Sequence, residues 1–378
     1  MSHENYFGKK MDLSPEDSLR LNVLLTQGLQ AVRVDESRMI VYALTERGEA
    51  KVPLNANCRD EQYIRNVKSL LSSHSLGSPG GYPVYLKRWT RMGQAKDESL
   101  SQLLVLGEEE AVIAVVHAPG LTNELARRAW WCSPTSDNAR RMLEKEAVVK
   151  GDMGPILSEF LIEHLPFEED ALAMIDSVKA SLQFGLVSEE QKQSLWTKAK
   201  MKGAYFVGFL QAMPDDLPGD ALANKNYESF KEKLNPLIEN KSAQLLLRVL
   251  SPAGQNYLNA IDASLKRPSD QNVVVALFMT IENYFKDICP GFESRRDIDL
   301  IKAEAQTNCE KCDEQLAEIK ALLPEAEPYL HAMMVLSGYC EELTFPVFGQ
   351  TDAVGSVMRK RIKHLTDPIK EQTKILRT

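Results

Sequence analysis

Cysteine is scarce in this chain: six in 378 residues, at positions 58, 132, 289, 309, 312 and 340. That is too sparse for a disulfide scaffold and points to a reducing compartment. Long apolar runs are missing as well. The longest, Val273 to Met279, is about a third of the ~20 residues a membrane-spanning helix needs. The first ten residues hold neither an apolar core nor a cleavage site, so they do not read as a secretory signal. They are expected to form an unstructured leader, with Met11 as an alternative start. Positive charge is not in excess: 45 Lys and Arg against 53 Asp and Glu give a net charge of -8. Bulk electrostatics therefore favour neither nucleic acid nor an anionic membrane. No G-x-S-x-G, P-loop or G-x-G-x-x-G pattern is present, and no two histidines stand at metal-ligand spacing. An ordinary hydrolase, kinase or dehydrogenase is not expected, nor is a cofactor or a metal. A soluble, cytoplasmic, non-enzymatic protein is.

What is there is ordinary globular composition, with 44% hydrophobic residues, so neither disorder nor a coiled-coil rod is indicated. The expected fold is mainly α with a small N-terminal α+β unit. An irregular α-α superhelix of the HEAT or armadillo kind follows, then a C-terminal helical bundle. The expected divisions are 11–95, 96–213 and 221–378. Ser14-Pro15-Glu16-Asp17 reads as an N-cap, a proline at the first helical position and acids in the first turn. A β-meander is expected after Gly28, with strands around Ala31–Val34, Met39–Leu44 and Ala50–Leu54. Pro53 assigns the last strand to a sheet edge. Tyr63, Ile64, Val67, Leu70 and Leu71 stand at helical spacing. Leu100–Leu106 and Ala111–Val116 read as short helices separated by Gly107, with a strand left open by periodicity because both runs are short and apolar. Ser188 and Gln191 form a capping box. The run 213–220, with two prolines and three acids, reads as a linker. Ser294 is expected to open a long helix that Pro324 stops.

Four features bear on function, and of these only the cysteine pair has chemical reach. From Gly77 to Gly93, glycines and prolines shape a loop on which Tyr82, Tyr85 and Trp89 interleave with Lys87, Arg88 and Arg91. Tyr85, Arg88, Trp89 and Arg91 are the candidate contact surface, for a protein partner first and for RNA second. The plainer alternative is a buried Trp89 with arginines reaching outward. Arg127-Arg128-Ala-Trp130-Trp131 raises the same question, and its helical register suggests tryptophans inside and arginines outside. Cys309-Glu-Lys-Cys312 suits dithiol chemistry or half a metal site, which Cys289, Cys340 or His331 would complete. Its position in mid-helix on an apolar face favours plain core packing instead. Finally, Arg359, Lys360, Arg361, Lys363, Lys370, Lys374 and Arg377 make a basic stripe near the C-terminus. It reads as a solvated helix face, or as a contact for RNA or an acidic partner.

Several stretches also carry a resemblance. They are Met11-Asp-Leu-Ser-Pro-Glu-Asp-Ser-Leu-Arg-Leu-Asn22, Val34-Asp-Glu-Ser-Arg-Met-Ile-Val-Tyr42 and Leu76-Gly-Ser-Pro-Gly-Gly-Tyr-Pro-Val-Tyr85 running into Arg88-Trp-Thr-Arg-Met-Gly93. With Ala118-Pro-Gly-Leu-Thr122 and Leu125-Ala-Arg-Arg-Ala-Trp-Trp131, they resemble the DsrS family of sulfur-reduction proteins from sulfur-oxidising bacteria. The resemblance covers residues 11–215 and starts at Met11. It implies a cytoplasmic accessory or regulatory protein of the Dsr sulfur-oxidation system, acting on production or assembly of Dsr proteins. It carries over no active-site residues. A thiol-based carrier of sulfur or electrons at Cys309 and Cys312, or an RNA-binding regulator, are the alternatives.

Overall fold

A computed structural model describes residues 13–77, 79–82, 97–183, 185–266, 268–289, 291–311, 314–349 and 353–378. The chain is mainly helical, with one small antiparallel sheet near the N-terminus. It divides into two compact units, residues 1–160 and 161–378.

In the first unit, helix α1 (Pro15–Leu25) starts as its sequence dictates. Ser14 Oγ accepts from the Asp17 N–H, and Pro15 takes the first helical position. The Asp17 carboxylate is fully buried and accepts from Tyr63 Oη at 2.6 Å and from the Asn55 N–H at 2.7 Å. Those bonds tie α1 to the chain entering helix α2 (Asp60–Leu76). The meander forms strands β1 (Leu29–Asp35), β2 (Ile40–Thr45) and β3 (Gly48–Pro53) in the order β1-β2-β3. Pro53 does lie on an edge strand. Alternation sends Val32, Val41, Ala43 and Val52 to one face, where they pack with Leu21 and Leu24 of α1 and Tyr63, Val67 and Leu71 of α2.

Of the two apolar runs, the second is helix in α4 (Glu109–His117), and the first ends helix α3 (Asp97–Leu103) and turns at residues 104–106. Between them Gly107 adopts a positive φ of 67°. A Cβ there would stand 2.7 Å from Val34 Cγ2, so only glycine fits against the sheet. Helix α5 (Asn123–Cys132) then lies on β1, capped by Thr122 Oγ1. Helix α6 (Ser136–Met142) follows, and the division between the units falls within helix α7 (Met153–His164). The first unit thus extends well beyond the expected limit at residue 95, because α3 to α6 pack with the sheet and its helices.

In the second unit, helices α8 (Ala171–Ser181), α9 (Glu189–Ala199) and α10 (Gly203–Ala212) are followed by α11 (Lys241–Leu250), α12 (Pro252–Lys266) and α13 (Gln271–Phe285). Next come α14 (Ile298–Lys311), α15 (Glu314–Leu322), α16 (Glu327–Ser337) and α17 (Lys363–Arg377). Helix α10 is apolar all round, and every residue from Ala204 to Leu210 is buried, so it runs through the core. Trp196 of α9 packs edge-on against Phe206 and Phe209 of α10 at 5.0 and 4.9 Å. The capping box at α9 is present, with both Ser188 and Gln191 bonds made. Helix α14 begins at Ile298, not Ser294. Asp297 caps it by accepting from the N–H groups of Asp299 and Leu300.

The expected boundary at 213–220 is not one. Helices on both sides of it share a single hydrophobic core. The segment is itself pinned: Leu217 is buried, Asp215 takes both ends of the Arg248 guanidinium at 2.6 and 2.7 Å, and Asp216 pairs with the buried Lys192 at 2.6 Å. Prolines and acids that look like a spacer in sequence serve here as a strap.

Candidate contact surface

The sheet has two faces, and helices do not cover both fully. On the outer face Ala31 and Leu44 are buried. Helix α5, which lies against β1, offers the small residues Ala126, Ala129 and Cys132 as buried positions. Small side chains permit close approach, and the Cys132 thiol reaches the Val32 carbonyl at 3.6 Å. Burial pushes that thiol up to about 12, with the nearby Arg33 charge opposing. The thiol is therefore protonated and inert at neutral pH.

Among the described residues, the next row across the sheet is covered only in part. Register aligns Arg33 with Tyr42 and Tyr42 with Lys51. Arg33 and Tyr42 are half-buried and Lys51 is exposed. The Arg33 guanidinium carbon lies 4.9 Å from the Tyr42 ring centroid and 5.3 Å from that of Trp131. Both distances suit a cation–π contact. Trp131 is oriented by its indole N–H, which donates to Glu49 Oε1 at 2.6 Å. Beside these residues, Arg33, Val34, Asp35, Ser37, Arg38 and Tyr42 line an open cavity of about 490 Å³. Asp35 belongs to the hairpin turn, where Oδ1 accepts from Ser37 Oγ at 2.8 Å and from the Arg38 N–H at 3.0 Å. The Ser37 and Arg38 bonds hold its carboxyl below the usual range.

The reading of Arg127 to Trp131 divides. Arg127 faces outward, Arg128 is half-buried, and both pair with Glu124, whose carboxyl is held down to about 2 chiefly by the Arg127 hydrogen bond, helped by Arg128 against partial burial. The tryptophans, however, are half-buried and not core residues. Trp130 packs edge-on against Phe160 at 4.7 Å, and Trp131 faces the sheet. The helical register places Leu125, Ala126, Ala129 and Cys132 on the buried side and leaves both indoles on its flanks. Arg33 and Tyr42 went unmarked in the sequence because a strand shows alternation but not which face a helix will cover.

Tyr85, Arg88, Trp89 and Arg91 lie outside the described residues. The chain that enters their loop is anchored, with the Gly81 N–H on Ser72 Oγ at 2.8 Å and the Tyr82 N–H on Glu108 Oε2 at 2.9 Å. Cys312 is also outside. Cys309 sits on the buried side of α14 with 1% exposure, in the core that contains Ala305, Leu316 and Ile319. Cys289 and Cys340 are buried too, and burial pushes the Cys340 thiol up to about 11. Among the described residues no group of three or more His, Cys, Asp or Glu side chains is arranged to hold a metal ion. Nor is any described helix long and apolar enough to cross a membrane.

In the basic stripe Lys360, Arg361, Lys363, Lys370 and Lys374 are exposed, and Arg359 and Arg377 are half-buried. Helix α17 buries Leu365, Ile369, Thr373 and Leu376. Arg377 pairs with Asp262 and donates to Asn259 Oδ1, while Lys363 and Lys370 flank Asp367. No family model, curated protein or solved structure matches this chain.

Proposed function

We propose that this protein is a non-enzymatic accessory factor that works through macromolecular contact, with the outer sheet face of its first unit as a contact surface. One observation carries the reading. A half-buried arginine contacts two aromatic rings on a row of the sheet that the described residues leave partly open. Trp, Tyr and Arg are the residues that dominate interface energetics when clustered. The resemblance to DsrS implies a cytoplasmic role in production or assembly of Dsr sulfur-oxidation proteins. A protein partner is preferred over RNA, and Tyr85, Arg88, Trp89 and Arg91 remain a second candidate surface. The burial of Cys309 weighs against a sulfur or electron carrier at Cys309 and Cys312.

The test is capture of the bound partner from sulfur-oxidising cells, quantified by mass spectrometry. Tyr42→Ala with Trp131→Ala should reduce capture at least tenfold, the effect of losing ~1.4 kcal/mol. Arg88→Ala with Arg91→Ala tests the loop separately. Unchanged capture by both double variants would remove the contact reading.

A further inference from the structure

The Arg33 guanidinium has two ring contacts and, among the described residues, no ion pair and no hydrogen bond. Its neighbours do not supply one. Glu49 is held by the Trp131 indole and Asp35 by its own turn. A half-buried guanidinium carries five N–H donors in a planar fork that matches a carboxylate. Ring contact fixes the plane of that fork without engaging its donors. Lys51 stands in the same row, two strand spacings from Arg33, or about 10 Å. Arg38, with a side chain 73% exposed, forms the rim of the cavity.

We infer that this face binds an acidic peptide segment, with Arg33 anchoring one carboxylate and Lys51 attracting a second across the Tyr42 ring. The inference rests on the contact reading above and narrows it to one partner chemistry. A single-stranded nucleic acid fits less well. Its backbone carries a phosphate at every nucleotide and calls for a basic track, whereas here three cations stand beside two acids on a chain of net charge -8. Base stacking also needs open ring faces, and Arg33 already lies against both rings.

The full chain, labelled with nitrogen-15, offers four indole N–H signals, of which Trp131→Phe identifies the relevant one. Three probes are titrated: a ten-residue peptide alternating Glu and Ser, its Gln–Ser counterpart, and a ten-nucleotide oligouridylate. The Glu peptide should move the Trp131 signal and the Gln peptide should not. Arg33→Ala should weaken Glu-peptide binding about tenfold or more, as expected for loss of a charge-assisted hydrogen bond. Arg33→Lys, which keeps the charge and loses the fork, should fall between. It becomes the deciding variant if Arg33→Ala lowers the melting temperature. Equal response to the Gln peptide, or wild-type affinity in both variants, overturns the inference. Tighter binding of oligouridylate overturns it in favour of nucleic acid. The two readings fail separately. If the Glu peptide does not bind while partner capture still requires Tyr42 and Trp131, the acidic-peptide inference falls and the contact reading stands. If the peptide binds through Arg33 while capture ignores this face, the binding site stands and the contact reading falls.

Discussion

Tyr284 and Tyr257 stack face to face in the core of the second unit, with ring centroids 3.8 Å apart and planes 12° from parallel. Their hydroxyls differ. Tyr257 Oη donates to the Thr280 carbonyl at 3.1 Å, whereas buried Tyr284 Oη has no hydrogen-bond partner among the described residues. Burial pushes both phenols above their ordinary range. An unpartnered buried hydroxyl costs about 1–3 kcal/mol. Removing it leaves the ring stack and the Arg248 contact, whose guanidinium carbon is 4.1 Å from the Tyr284 centroid. Tyr284→Phe should therefore be neutral or stabilising, by up to about 1 kcal/mol. Tyr257→Phe should cost about 1 kcal/mol by losing a made bond. Urea unfolding of the two variants decides it, and the reverse order would reveal a partner for Tyr284 Oη.

Among the elements, α8 and α10 pack closely at Gly208. A Cβ at Gly208 would stand 2.6 Å from Val178 Cβ and 3.0 Å from the Ile175 carbonyl oxygen. Gly208→Ala gains roughly 1 kcal/mol of helix propensity, but overpacking costs about 1–3 kcal/mol. A net loss is expected, relieved only in part in a Val178→Ala background, which removes the Cγ1 at 2.7 Å but keeps the Cβ and the Ile175 carbonyl. An equal loss in both backgrounds would assign the cost elsewhere. At the start of α5, Glu124 acts on acid stability. Its carboxyl, lowered from 4.5 to about 2, stabilises the fold above pH 4.5, and that contribution disappears as pH falls toward 2. Glu124→Gln should therefore flatten the dependence of stability on pH between those values. An unchanged slope in acid-unfolding curves would show that Glu124 is not linked to folding. Helix α17 illustrates a different device. Pro368 lacks the N–H that would bond the His364 carbonyl, and one residue on the buried Tyr339 Oη donates to the Leu365 carbonyl at 2.8 Å, tying this turn to the core. At its other end Asn224 and Gln255 both donate to the Leu376 carbonyl.

For the whole molecule, the consequence is that 213–220 is a strap inside one core. Cutting there separates Phe206, Phe209 and Leu210 from the core they share with Tyr257, Phe278 and Ile281. A fragment 221–378 should therefore show no cooperative thermal transition, while 161–378 should fold with one. Circular dichroism melts of the two fragments provide the check. Two independent transitions in 161–378 would restore the division suggested by the prolines.

The sequence by itself determined the local events. Ser14 and Pro15 start α1, Ser188 and Gln191 start α9, Asp270 caps α13, and alternation with turn residues gives the meander with Pro53 at its edge. Each depends on hydrogen bonds and sterics within a few residues, so a short window contains the cause. Tertiary structure decided the rest. Leu100–Leu106 and Ala111–Val116 read as helix with a strand left open because short apolar runs lack a decisive period, and packing selected helix for Leu100–Leu103 in α3 and for the second run in α4. Trp131 looked like a core residue until the fold left it on the flank of α5 against Arg33. Asp215 and Asp216 looked like spacer residues until Arg248 and Lys192 came to meet them. In each case the partner lies far along the chain. Periodicity identifies which face of an element is apolar, but only the packed fold selects what that face, or the polar row beside it, will touch.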